Sequence, residues 1–239
     1  EVEERAVEVL KQAGLSDAER RMRQYPHQFS GGMKQRALIG IGMSANPQLL
    51  IADEPTSALD VTVQRVVLDH MAKLTRETGT AVVFITHDLG LAAERAEKLI
   101  VMYKGKIVES GPSREILQRP QHPYTQRLVS AAPSLASRRI SAGVSVAAPA
   151  SEFDLASLAT QTTQVARAGE TLIEVSNLSK VYKLRKGNFG HEDFKAVDNA
   201  SFTIKRGQTM ALVGESGSGK STIAKMVLQL EKPSSGKLI

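Results

Sequence analysis

The run Gly214-Glu215-Ser216-Gly217-Ser218-Gly219-Lys220-Ser221-Thr222 constrains this chain more than any other feature. Apolar text from Met210 to Val213 precedes it and a helical pattern from Ser221 to Leu230 follows, so the loop stands between a strand and a helix. A phosphate-binding loop requires that placement. Its glycines let successive backbone N–H groups curl around phosphate oxygens, and the helix N-terminus adds partial positive charge. At this spacing Lys220 reaches the β- and γ-phosphates and the Ser221 hydroxyl ligates Mg2+. A flexible Gly/Ser turn is the bland alternative, and the strand and helix flanks weigh against it.

The first third alternates helix, strand and helix. Glu1 to Gly14 is a charged amphipathic helix with Val2, Val7, Leu10 and Ala13 on its apolar side. A second helix is expected from about Met33 to Ala45, and Leu49 to Ala52 is a short buried strand ending in Asp53-Glu54-Pro55. Asp60 can cap a helix carrying Val63, Val67, Met71 and Leu74. Ala81 to Ile85 is the next strand and ends at Thr86-His87-Asp88. Strand, helix and strand make a βαβ unit of a parallel sheet, where sites gather at the carboxyl edge. Lys98 to Met102 and Ile107 to Glu109 form a hairpin around Lys104-Gly105. Further strands are expected at Leu172 to Val175, Ala200 to Ile204 and Met210 to Val213.

Four motifs add to the glycine loop. Phe29-Ser30-Gly31-Gly32-Met33-Lys34-Gln35-Arg36 offers a hydroxyl and bare amides at a helix start, a second anion-friendly arrangement. This run resembles the signature sequence of ATP-binding cassette ATPases. Leu49 to Pro55 is similar to that family's Walker B, Ser57-Ala58-Leu59-Asp60 to its D-loop, and Ile85-Thr86-His87-Asp88 to its switch histidine. The resemblance implies an ATPase with an α/β P-loop NTPase fold and a mixed, largely parallel sheet. It implies that Asp53 holds Mg2+ largely through water, that Glu54 polarises the attacking water and that His87 contacts the γ-phosphate. Ser30, Gly31, Gly32 and Gln35 then touch ATP from the opposite side, and Asp60 closes the D-loop. Tyr182 is the aromatic expected to stack on adenine, with Phe189 or Phe194 as alternatives.

Tyr25-Pro26-His27-Gln28, Asp60-Val61-Thr62-Val63-Gln64 and His122-Pro123-Tyr124-Thr125-Gln126-Arg127-Leu128 resemble the oligopeptide, dipeptide and nickel importer branch. Members of that branch often carry a cysteine cluster soon after the last segment. This chain has no cysteine, so no metal site of that kind is expected. The resemblance implies integral membrane permease subunits as partners, an extracytoplasmic solute-binding protein indirectly, and a peripheral place on the cytoplasmic face of the inner membrane. The alternative is a soluble tandem cassette protein acting on ribosomes. Proteins of that kind usually carry Asn-His where this chain has Ser57-Ala58, and they lack the His-Pro-Tyr-Thr segment.

The motif order is unusual, because a single cassette has its P-loop ahead of the signature and Walker B. A tandem fusion accounts for it: residues 1–133 are expected to be the later part of one cassette, 134–170 a linker rich in Ala, Ser and Thr, and 171–239 the earlier part of a second. Glu1 inside a helical pattern and Ile239 just after a strand begins make both ends read as cuts. On this reading Ser30 to Gly32 face the glycine loop across one nucleotide in the parent protein, whereas Asp53, Glu54 and His87 belong to the opposite site. The chain alone is then expected to bind ATP weakly and to lack a complete hydrolytic site.

Charge does not redirect this reading. The net charge is +6, but residues 1–133 carry 17 basic against 16 acidic side chains while 171–239 carry 11 against 6, so the excess sits beside the phosphate loop. Aromatics at 4% leave little to stack bases on, and nucleic acid is not expected as a partner. No apolar run approaches the ~20 residues that span a bilayer.

Overall fold

The computed structural model describes residues 1–57, 59–131, 170–186 and 190–239. The expected linker at 134–170 therefore falls almost wholly outside the described residues, as do Ala58 and Phe189.

Eight helices and eight strands are seen among the described residues. Helix α1 (Val2–Gln12) and the short α2 (Ala18–Arg21) lead through a 3-10 turn at Pro26–Gln28 to α3 (Gly31–Met43). Strand β1 (Leu49–Asp53), α4 (Val61–Thr78), β2 (Ala81–Thr86) and α5 (Leu89–Arg95) follow. The expected hairpin is β3 (Lys98–Tyr103) and β4 (Lys106–Pro112), and α6 (Ser113–Gln118) and α7 (Pro123–Ala131) end the first segment. The later segment supplies β5 (Thr171–Lys186), β6 (Gly190–Lys205), β7 (Thr209–Val213), α8 (Lys220–Val227) and β8 (Ser235–Leu238).

Five strands form one sheet in the order β1-β2-β7-β3-β4, and β6-β5-β8 form a second. In the first sheet β1–β2, β2–β7 and β7–β3 pair in parallel, and only β3–β4 is antiparallel. The sheet is therefore mixed and largely parallel, in an α/β fold as expected. Its central strand β7 comes from the later segment, whereas both its neighbours come from the earlier one.

Alternation along the strands builds two cores. Val82 and Phe84 of β2 with Ala211 and Val213 of β7 point to one face, where Ile39, Val67, Leu68 and Leu89 of the helices cover them. Val83, Ile85, Met210 and Leu212 point to the other, against Ile223 of α8 and Val175, Phe202 and Ile204 of the second sheet. All six residues of β2 are buried, which is the mark of a strand covered on both faces.

Candidate functional site

Parallel register brings the chemistry to one edge. Asp53 pairs with Ile85 and Thr86 pairs with Val213, so β1, β2 and β7 end side by side. The residues that follow them are Glu54, His87 and the glycine loop.

The loop has little room for other residues at two positions. A Cβ on Gly214 would stand 2.2 Å from the Met102 carbonyl oxygen. Gly219 has φ +98°, and a Cβ there would meet the Ala196 carbonyl oxygen at 2.4 Å. Both neighbours are backbone and cannot swing aside, so contact requires glycine at both positions, and the left-handed φ requires it a second time at Gly219. Ser218 is 4% exposed, and its hydroxyl has no hydrogen-bond partner in the protein. An orphaned buried hydroxyl inside an amide-lined loop suits a ligand oxygen.

Lys220, 7% exposed, folds back over the loop and donates from Nζ to the carbonyl oxygens of Gly214 (2.9 Å) and Glu215 (2.8 Å). Burial pushes its pKa below the ordinary lysine value, while the Glu54 and Asp53 carboxylates oppose that fall. The three groups thus share one electrostatic environment. His87 Nδ1 lies 2.8 and 2.9 Å from the two carboxylate oxygens of Glu54. With Nδ1 turned to a carboxylate, Nε2 is left for another partner. Glu54 itself sits at φ +49°, and its amide donates to the Ile85 carbonyl at 2.9 Å, fixing it beside β2.

Lys220 stands with Asp53, Glu54 and His87, because β7 fills the position between β2 and β3. Those strands would otherwise present unpaired backbone groups in the middle of a sheet, which folding does not tolerate. The glycine loop, Asp53, Glu54 and His87 thus lie along one edge in this structure, where the sequence reading distributes them between two sites.

The signature residues stand elsewhere. Ser30 caps α3, its Oγ accepting from the Met33 amide at 3.4 Å, while Gly31 and Gly32 lie against Leu59 and Val63. Asp60 caps α4 through Oδ1 to the Val63 amide at 2.9 Å. Gln35 is half-buried on α3.

Tyr182 lies on β5 opposite Phe194 of β6, with the Lys180 ammonium 5.1 Å from its ring centre. Lys180 also forms an ion pair with Glu231 at 2.6 Å. Val197, which pairs with Lys180, is one of the side chains packed around Gly219. The aromatic candidate and the loop are thereby joined through β6.

Sequence reasoning missed Tyr124. This residue of α7 is 3% exposed, and its hydroxyl accepts a hydrogen bond from the Glu215 amide at 3.1 Å. The bond spans 91 positions, and nothing in either segment alone announces it.

Residues 1–57 and 197–239 match the ABC transporter family model, and residues 108–151 match that of the oligopeptide/dipeptide transporter C-terminal region. Among curated proteins, the glutathione import ATP-binding protein GsiA of Shigella dysenteriae and that of Escherichia coli are each 41% identical over 240 residues. The counterpart from Salmonella choleraesuis is 39% identical over the same length. Each alignment takes in 98% of this chain and 38% of the relative, so the chain spans well under half the length of these proteins. A crystal structure of the ADP conformation of an ATP-binding cassette of an ABC transporter overlays 54% of this chain and 49% of its own, at 20% identity and a TM-score of 0.46. The chain thus belongs to the ABC transporter family, and its residues 108–151 to the C-terminal region of the oligopeptide/dipeptide transporter branch.

Proposed function

We propose that this chain binds ATP at the edge formed by β1, β2 and β7, and that it belongs to the ATP-hydrolysing subunit of a peptide-type importer. The observation that carries the reading is the Lys220 ammonium at the floor of the glycine loop, with Asp53, Glu54 and His87 along the same edge. The phosphates lie in the loop from Gly214 to Thr222, where Glu215, Ser216 and Gly217 form its exposed crest. Lys220 exchanges its two carbonyl partners for the β- and γ-phosphates. Glu54 takes the proton of the attacking water, and His87, held by Glu54 through Nδ1, offers Nε2 to the γ-phosphate. Tyr182 stacks on the adenine.

Asp53 and Ser221 are the residues that would hold Mg2+, which neutralises phosphate charge. Among the described residues there is no cluster of three or more His, Cys, Asp or Glu side chains suited to a metal.

Motif order supports a longer protein carrying parts of two cassettes, with residues 1–133 and 171–239 contributed by different ones. The Ser30–Gly32 amides and Gln35 then serve a nucleotide held by a second cassette. The His-Pro-Tyr-Thr segment and the importer relatives favour membrane permease subunits as partners over ribosomes. They also favour a peripheral position on the cytoplasmic face of the membrane. No helix among the described residues is long and apolar enough to cross a membrane. Peptides, glutathione among them, are the solute class favoured by the same relatives.

Equilibrium binding of a fluorescent ATP analogue with Mg2+ tests the reading. Wild-type chain binds, Lys220→Ala binds at least tenfold more weakly, and equal binding by the two would overturn the site.

A further inference from the structure

The His-Pro-Tyr-Thr segment marks a branch of the family, yet the proposed chemistry gives it no task. Its geometry supplies one. The Glu109 carboxylate on β4 accepts hydrogen bonds from the amides of Gln121 (2.9 Å) and His122 (3.1 Å). His122 Nδ1 accepts from the Tyr124 amide at 3.1 Å, and the Gln126 side chain ties back to the Pro120 carbonyl at 3.1 Å. Pro123, the first residue of α7, has no N–H to leave unsatisfied at that position. The start of α7 is thus fixed to β4 by its own motif residues. Tyr124 projects from it, and its ring stacks on Tyr103 at the end of β3 with centroids 4.3 Å apart.

What Tyr124 reaches is one particular peptide unit. The Glu215 N–H that donates to its hydroxyl belongs to the same peptide as the Gly214 C=O, and that carbonyl accepts from Lys220 Nζ at 2.9 Å. A cation on the carbonyl side makes the amide side a better donor, so the two bonds strengthen one another through the peptide. Burial pushes the Tyr124 phenol above its ordinary pKa.

We propose that Tyr124 is a positioning residue of the phosphate loop: it holds the Gly214–Glu215 peptide in place when Lys220 leaves that carbonyl for a nucleotide. The proposal rests on the nucleotide reading above. Without the phenol, the peptide loses both partners once Lys220 turns to phosphate, and the loop entrance must be reordered each time a nucleotide binds. In the branch that carries it, the segment after the hairpin thereby becomes part of the nucleotide site without touching the nucleotide.

The test compares wild type, Tyr124→Phe, Tyr124→Leu and Lys220→Ala by binding of a fluorescent ATP analogue, thermal melting and amide hydrogen exchange. Tyr124→Phe keeps the ring against Tyr103 and removes only the oxygen. It is expected to bind the analogue about three- to tenfold more weakly, the effect of one lost hydrogen bond. Its melting point should move by no more than about 4 °C, while the Glu215 amide exchanges at least tenfold faster. Tyr124→Leu is expected to match Phe in affinity and to melt lower. A Tyr124→Phe chain that binds as wild type does, or whose Glu215 amide keeps its protection, overturns the proposal alone. Affinity that follows melting point across the Phe and Leu variants, with no separate effect of the oxygen, also overturns it. Equal binding by wild type and Lys220→Ala overturns the nucleotide reading, and this proposal with it.

Discussion

Glu54 occupies left-handed backbone at φ +49°, a conformation that costs a non-glycine residue about 1–3 kcal/mol when the surroundings must enforce it. The enforcement is visible: its amide is tied to the Ile85 carbonyl and its carboxylate to His87. Strain held at the end of β1 aims the carboxylate at the loop edge. Replacing Glu54 by Gln keeps the shape and removes the base that the proposed mechanism assigns, so phosphate release should fall at least about 100-fold while ATP affinity stays within about twofold. A steady-state phosphate assay beside equilibrium binding checks both halves. Gly219 is the converse case. Ala there would need φ near +98° and would stand against the Ala196 carbonyl, so Gly219→Ala should cost about 2–3 kcal/mol in urea unfolding.

At the scale of elements, three helices of the first segment begin with the same device. Ser30, Asp60 and Asp88 each accept from the amide three residues on. Asp60→Ala should cost about 1 kcal/mol of stability through α4, read by denaturant unfolding. These caps are why helix starts were legible at Asp60 and close at Met33, which the structure moves back to Gly31. Strand β5 was less legible. Its expected end at Val175 is in fact one point on a strand running to Lys186, because register shifts at Val175/Leu178 and beyond interrupt the period-two pattern. Glu109 carries a pH signature of its own element. Burial raises its pKa, but the Thr125 side chain, the Gln121 and His122 amides and the His122 ring together outweigh that and hold it below the ordinary value of 4.5. A depressed carboxyl pKa stabilises the fold above the unfolded value and loses that contribution as pH falls through the folded one. Melting between pH 5 and about 3 should therefore fall less steeply for Glu109→Gln than for wild type.

The whole molecule depends on β7. Its partners β2 and β3 are contributed by residues 1–131, and it sits between them with Met210, Ala211, Leu212 and Val213 buried. A chain cut back to residues 1–131 would expose two inner strand edges and lose the packing of four core side chains. It should show no cooperative thermal transition by circular dichroism, and adding residues 170–239 as a separate chain should restore one. If a second copy must lend its Ser30–Gly32 amides to complete the nucleotide site, ATPase activity per mole should rise with protein concentration. A flat dependence would mean that one copy suffices.

Local geometry was readable in the chain itself. The glycine loop, the acids after β1, the histidine after β2 and the caps of α3 and α4 are defined by residues within a few positions of one another, where spacing carries the physical requirement. Which motif meets which is a different question. The register of β7 between β2 and β3 set Lys220 beside Asp53 and Glu54, and the same packing set Tyr124 against Glu215. Those meetings come from satisfying backbone hydrogen bonds and burying apolar faces across the entire sheet, a condition no short stretch of sequence contains.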